Sequence, residues 1–322
     1  MDLDLPLVWA GIIALAVLLY VMLDGFDLGI GILFPFARSP RDRDTMMNSI
    51  APYWDGNETW LVLGGGGLFA AFPLAYAIIM PALYIPILLM MMALILRGVA
   101  FEFRARGRTR GKAFWTGAFA GGSTVAALSQ GLVLGGFIQG VTLNGEAFGG
   151  GPFDWLTPYT LLVAGGLTAG DARRWAWRAA IASAALLVVV SLATLFVHPQ
   201  VAARWGFEDG AFDLARLALL SPIPLLGLAG LGLVVWGLAK GGHVAPFLGS
   251  LTVFVSGYLG LAVGFFPNIV PYDLTFRQAA SADNALGLML VGVAILLPVI
   301  LAYTVWVYWV FRGKVGADAG YH

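Results

Sequence analysis

Cysteine is absent from the 322 residues, which excludes disulfides, thiolate metal sites, cysteine nucleophiles and iron–sulfur ligation. Charge is scarce. Asp, Glu, Lys and Arg make up 11% of the chain, against about 25% in a typical soluble domain, and this excludes an ordinary soluble enzyme. Neither sign prevails, because eighteen basic residues face eighteen acidic ones, so no global field draws in nucleic acid or an acidic partner. Short repeats and low-complexity tracts are also missing, and the loops are too short to hold a further domain. One integral domain over 1–322 is expected.

Apolar residues reach 60% and glycine numbers 43, roughly twice the average glycine usage of about 7%. Glycine lets membrane helices approach closely, and a polytopic all-α membrane protein is the class that remains. A hydrocarbon core of about 30 Å needs roughly 20 apolar residues per helix. Nine runs meet or approach that length: 7–26, 53–72, 74–101, 114–140, 155–170, 177–197, 217–239, 247–266 and 285–311. The fifth is short and must tilt or thin the bilayer. The first is not a cleavable signal, since Asp2 and Asp4 stand where a basic n-region would be. Alternate loops differ sharply in basic residues. One set carries fourteen, among them Arg38, Arg41, Arg43, Arg104, Arg106 and Lys112, and the other carries Arg204, Arg216 and Arg277. The positive-inside rule then places the N-terminus outside and the C-terminus in the cytoplasm.

Five ionisable residues fall in or at the edge of these runs: Asp24, Asp27, Asp55, Glu58 and Arg97. Such groups cost several kcal/mol in hydrocarbon and mark ion pathways or buried pairs. Both acid pairs are spaced i, i+3, which puts each on one helix face, and all five belong to the same leaflet. Interacting carboxyls beside a cation titrate as a unit and exchange protons near neutral pH, so the sharp reading is a proton relay. Plainer readings stand beside it. Asp55 and Glu58, following Pro52, complement a positive helix N-terminus. Asp24 sits at a solvated helix end if Gly29 and Gly31 break the first helix. Asp27 and Arg97 form a structural ion pair, or Arg97 snorkels toward headgroups. The three histidines, His198, His243 and His322, lie away from every span centre. Haem needs inward-held His, Met, Cys or Tyr, and Met90-Met91-Met92 reads as packing or lipid contact. No haem is therefore expected in this chain. Trp155, Trp177, Trp205, Trp306 and Trp309 fit interfacial belts. Gly64 to Gly67 lacks the Lys of a phosphate loop and reads as helix packing.

Two acid-bearing stretches are distinctive: Leu23-Asp24-Gly25-Phe26-Asp27-Leu28-Gly29, and Asn48 to Leu61 with its core Pro52-Tyr53-Trp54-Asp55-Gly56-Asn57-Glu58-Thr59-Trp60. With Arg97-Gly98-Val99-Ala100-Phe101-Glu102-Phe103-Arg104, Pro152 to Pro158, Phe266 to Pro271 and Leu297 to Thr304, the chain resembles subunit II of the cytochrome bd quinol oxidases over nearly its whole length. Its C-terminal half is most similar to the cyanide-insensitive branch. The resemblance implies nine helices, built as two four-helix bundles plus one C-terminal helix, in a bacterial cytoplasmic membrane. It implies a heterodimer with a homologous subunit I that carries b- and d-type haems, oxidises quinol and reduces dioxygen to water. Subunit II would carry no haem, hold a quinone in an apolar pocket, meet membrane lipid and accommodate a small single-helix accessory subunit. Residues matching Asp24 and Asp55 are associated in the family with a cytoplasmic proton route, and Trp54 matches a further site position. Glu58 joins the relay candidates by its spacing, with Asp27, Asn57 and Arg97 in support. The segment 165–174 is shorter than the family pattern, which bears on the packing of the fifth and sixth helices. The competing classes are a proton-coupled secondary transporter, which would place its acids near the midplane between inverted repeats, and a purely structural subunit of a membrane complex.

Overall fold

A computed structural model describes residues 3–107, 109–168, 188–208, 211–242 and 244–311. The first helix, α1, runs Leu5–Leu33 and is capped by Asp4, whose side chain accepts the Leu7 N–H. It passes the expected end at Phe26 because Gly29 and Gly31 do not break it. Both are buried within the helix, and Gly31 lies against Ser123. A short 3-10 turn, Phe34–Phe36, leads to α2, Pro40–Ile50. This helix was not expected, although its capping box is plain in Ser39-Pro40-Arg41-Asp42: Ser39 Oγ accepts the Asp42 N–H and Asp42 accepts the Ser39 N–H, both at 3.1 Å.

Helix α3 is Trp54–Ala71, starting two residues past Pro52. The expected third span divides at Leu83 into α4, Pro73–Ala82, and α5, Tyr84–Arg106. Pro86 has no N–H for the Ala82 carbonyl, yet Ile87 N–H still donates to Leu83 at 3.0 Å, so the chain bends there and continues. Then come α6, Thr109–Gln139, α7, Pro158–Thr168, and α8, Val188–Val197. The rest of the expected fifth span and the start of the sixth lie outside the described residues. A short α9, Pro199–Arg204, is followed by α10, Leu214–Leu220, and α11, Pro222–Ala239. The expected seventh span is thus split at Ser221, where Pro222 and Pro224 follow. Helices α12, Val244–Phe265, α13, Phe276–Ala279, and α14, Asp283–Val310, complete the order. Three two-residue to three-residue antiparallel hairpins close loops, pairing Leu143 with Phe148, Phe207 with Phe212 and Asn268 with Thr275.

Among the described residues, six helices are long and apolar enough to cross a membrane: α1, α5, α6, α11, α12 and α14. Helix α3 falls short of that apolarity because Asp55, Asn57 and Glu58 crowd its first turns.

The chain divides into two compact units. The first comprises Met1–Ala77, Leu88–Ala127 and Phe276–His322. Its core has three buried clusters, centred on Phe34, Ile50 and Phe119, on Leu28, Met90 and Ala126, and on Ala16, Tyr20 and Trp60. At Gly122 of α6, an added Cβ would lie 2.8 Å from the Ala93 carbonyl and 3.3 Å from the Arg97 Cβ. Nothing larger than hydrogen fits there while α5 holds its place. The second unit comprises Ile78–Ile87 and Leu128–Thr275. Its α11 and α12 cross where Gly230 faces Gly249, and a Cβ on either would meet the other's carbonyl oxygen at 2.8 or 2.6 Å. This is small-residue membrane packing. The Ser256 hydroxyl donates across the same crossing to the Ile223 carbonyl at 2.8 Å.

The Gly122 contact makes a paired prediction. Gly122→Ala should destabilise the protein by about 1–3 kcal/mol, as overpacking does. Gly121→Ala, whose Cβ meets nothing within 4 Å, should be neutral or stabilising by up to about 1 kcal/mol, the helix-interior gain of Ala over Gly. Thermal midpoints of the purified variants in detergent check the contrast.

Candidate functional site

In the first unit, the C-terminal part of α1, the N-terminal part of α3 and the C-terminal part of α5 meet around one guanidinium. Arg97 of α5 is 1% exposed. Its Nη1 donates to Asp24 Oδ1 at 3.0 Å and to Glu58 Oε1 at 2.9 Å, while its Nη2 stands 3.8 Å from Asp27 Oδ2. Arg97 therefore does not snorkel. Asp24 and Asp27 share one helix face, as their spacing predicts, and neither reaches the surface. The Glu58 side chain keeps 27% exposure, which makes it the partly open member of the group.

A second layer orients the acids. Asn57, also buried, donates its amide to Asp27 Oδ2 at 2.8 Å and exchanges a hydrogen bond of 3.1–3.2 Å with the Tyr308 hydroxyl of α14. Tyr308 stacks on Tyr53, ring centroids 4.4 Å apart, and the Tyr53 hydroxyl donates to the Phe311 carbonyl at 2.9 Å. Tyr20, one turn before Asp24, is buried with its hydroxyl beside the Asp24 carboxyl. Tyr20 and Tyr308 escape a reading by charge. Both are neutral aromatics in apolar runs, and at the end of α14 a tyrosine is indistinguishable from a belt residue. The four-residue step from Tyr20 to Asp24 was the available signal.

Two other predicted residues stand apart from the guanidinium. Asp55 is exposed, in the first turn of α3, where the helix dipole favours an anion. Its i, i+3 partner Glu58 turns inward, so the pair does not act as one buried face, and three acids rather than four surround Arg97. Trp54 is half-buried and packs on Phe101 at 5.3 Å and over Gly98, away from the carboxyls.

The basic end of the unit is clipped by Arg104. It donates Nη1 to Asp44 Oδ1 of α2 at 2.8 Å and Nε to Thr116 of α6 at 3.0 Å, and it lies 4.9 Å over the Phe34 ring. Lys112 reaches the same carboxyl, Nζ to Oδ2, at 3.2 Å. Partial burial pushes the Asp44 carboxyl up, but the hydrogen bonds and charges of Arg104 and Lys112 outweigh it and leave the group below the ordinary carboxylate range.

Among the described residues, no group of three or more His, Asp or Glu is placed to hold a metal ion. His198 is occupied structurally, with Nδ1 accepting the Gln200 N–H and the ring stacked on Tyr272 at 3.7 Å.

A helical membrane protein with a buried carboxyl and guanidinium cluster near one end of its helices is the class that these observations define. The sequence matches the family model of cytochrome bd terminal oxidase subunit II over residues 5–171 and 164–311. It is similar to subunit 2 of the cytochrome bd-I ubiquinol oxidase of Escherichia coli K12, 30% identical with 97% of this chain and 95% of that one covered. Subunit 2 of the cytochrome bd ubiquinol oxidase of Bacillus subtilis is 28% identical, covering 95% and 96%. The fold matches a chain in the structure of the bd oxidase from Geobacillus thermodenitrificans, with TM-score 0.76, 12% identity and coverage of 96% and 98%. The chain belongs to the cytochrome bd oxidase subunit II family.

Two predictions follow from the charges. Arg97→Met strands three carboxyls in a buried site and should destabilise the protein by about 3–5 kcal/mol. Adding Asp24→Asn and Asp27→Asn should recover much of the loss, as thermal unfolding would report. At the surface clip, Asp44 binds protons less readily folded than unfolded. Its contribution is present above the unfolded pKa of about 3.9 and lost as pH falls through the folded value. Asp44 is 43% exposed, so screening holds the contribution below about 1 kcal/mol. Asp44→Asn should therefore lower the thermal midpoint slightly at neutral pH, with the difference from wild type closing in acid.

Proposed function

We propose that this chain is the haem-free subunit II of a membrane-bound quinol:oxygen oxidoreductase of the bd type, and that it conducts protons through the Arg97 cluster. One observation carries the proton reading: Asp24, Asp27 and Glu58 share a single guanidinium, with two of the three carboxyls wholly buried. Unpaired buried charge is costly. The cluster reaches neutrality when two protons are shared among three carboxyls, which makes it a store that can fill and empty. Glu58, hydrogen-bonded to Arg97 and partly exposed beside Asp55, is the exchange point. Asp24 and Asp27 hold the store, and Asn57 fixes the Asp27 rotamer.

The wider reading follows family membership. Quinol oxidation and dioxygen reduction belong to the b- and d-type haems of a partner subunit I, with protons drawn from the cytoplasm. The expected nine spans, the two bundles with a C-terminal helix and the single membrane domain are part of this proposal. So are an outer N-terminus, a cytoplasmic C-terminus, an apolar quinone pocket and a small accessory subunit in a bacterial inner membrane. A purely structural role has one observation in its favour, since Asp24 and Asp27 are held against Arg97 like an internal clamp. The transporter reading has no comparable support, because the acids gather at one end of the helices.

Asp24→Asn and Glu58→Gln should each slow oxygen consumption of the assembled oxidase about tenfold or more, toward the range of a lost proton-transfer group, at unchanged haem per complex. Asp55→Asn should act through Glu58 with a smaller effect. Wild-type turnover with intact assembly in all three would overturn the relay, and reduced complex yield at unchanged turnover would assign the acids a structural role.

A further inference from the structure

The carboxyl cluster has a second polar neighbour, opposite in kind to the exposed Asp55 and Glu58. From Arg97, the chain of contacts runs through Asp27 to the Asn57 amide at 2.8 Å and on to the Tyr308 hydroxyl at 3.1 Å. Asn57 is 1% exposed, whereas Tyr308 is only half-buried, two residues before the end of α14. The series therefore leads from the interior to the basic end of the unit, where Arg104 and Arg43 lie.

Four buried polar atoms of the cluster make no hydrogen bond among the described residues: Asp24 Oδ2, Asp27 Oδ1, Arg97 Nε and Arg97 Nη2. Buried polar atoms are seldom left so, and a bridging water asks for two to four such partners. One of these atoms belongs to Asp27, the residue that Asn57 holds. The aromatic pair above them is tied down, Tyr308 stacked on Tyr53 and Tyr53 bonded to Phe311.

We propose that Tyr308, acting through Asn57, is a positioning residue for proton entry: its hydroxyl closes the basic-end mouth of the cluster and orders the water that supplies Asp27. This rests on the proton reading given above. An amide does not itself pass protons on. Asn57 instead fixes the Asp27 carboxyl, its Nδ2 donating to Asp27 Oδ2 and to the Tyr308 oxygen while its Oδ1 accepts from the Tyr308 hydroxyl at 3.2 Å, so that water at Asp27 Oδ1 meets a carboxyl in one orientation. The stack on Tyr53 keeps the hydroxyl in place.

The test uses the intact oxidase complex, with Tyr308→Phe as the principal variant, because it keeps the stack on Tyr53 and removes only the hydroxyl. Oxygen consumption per haem is followed across pH. Tyr308→Phe should lower turnover about fivefold in alkaline buffer, the worth of one hydrogen bond of about 1 kcal/mol, and little in mildly acidic buffer, where protons are plentiful. A merely structural role would lower haem per complex, or turnover equally at every pH, and either result overturns the proposal. Tyr308→His restores a ring with a hydrogen-bonding atom. Recovery of alkaline turnover in it supports the proposal, also where Tyr308→Phe assembles poorly, and its absence counts against it. If Asp24→Asn and Glu58→Gln slow the enzyme while Tyr308→Phe keeps the wild-type pH profile, this inference alone falls. If the carboxyl variants also run at wild-type rate, the proton reading falls with it.

Discussion

The Arg97 guanidinium sets the register of the first unit. A buried cation without partners costs several kcal/mol, and its three carboxyl partners come from two helices that are far apart in sequence. A slide of one residue along α1 or α3 would rotate Asp24 or Glu58 by about 100° and leave the charge stranded. The apolar faces tolerate such slips far better, because lipid and neighbouring helices are equally greasy. Polar geometry therefore specifies what hydrophobicity cannot. Small residues make room for it: Gly122 admits α5 at Arg97, and the next residue, Gly98, admits the Trp54 ring.

The clip at Arg104 extends the same logic to the membrane edge. Asp44 lies on a capped, amphipathic helix between the first two expected spans, and Arg104 and Lys112 bracket the turn between α5 and α6. Arg97 and Arg104 are seven residues apart on one helix, two turns, so both guanidinium groups project from nearly the same face. The inner one orders α1 and α3, and the outer one orders α2 and α6. Together they pin α5, which explains how a helix with a proline bend near Leu83 still presents Arg97 accurately.

What was legible in the sequence follows from how each feature is encoded. The apolar runs and the acid and Arg97 positions were readable because hydropathy and rare intramembrane charge are strong local signals. Helix ends were less so. Glycines at 29 and 31 look like breakers, but tertiary packing against Ser123 keeps α1 helical to Leu33. The prolines at 86, 222 and 224 were visible, yet whether a proline bends a span or divides it depends on which neighbouring carbonyls find other donors. Spacing placed Asp24 with Asp27 correctly and misjudged Asp55 with Glu58, since i, i+3 residues subtend about 60° on the helix. That angle is enough to put one indoors and one outdoors at the rim of a buried face. Tyr308 was beyond reach altogether, because its contact with Asn57 spans 251 positions.

A store of protons is useful only if it has two distinguishable sides, and on the proposed reading the cluster has them. Toward the basic end the neighbours are neutral and fixed: an amide and a phenol, held by stacking and by the backbone of α14. On the exposed face of α3 the neighbours are carboxyls, Asp55 and the partly open Glu58. A neutral donor positions water without competing for the proton, whereas a carboxylate accepts it. On the proposed reading that asymmetry gives the proton path two ends, Tyr308 on one side and Glu58 on the other, joined by groups whose helices the Arg97 ion pairs hold in register.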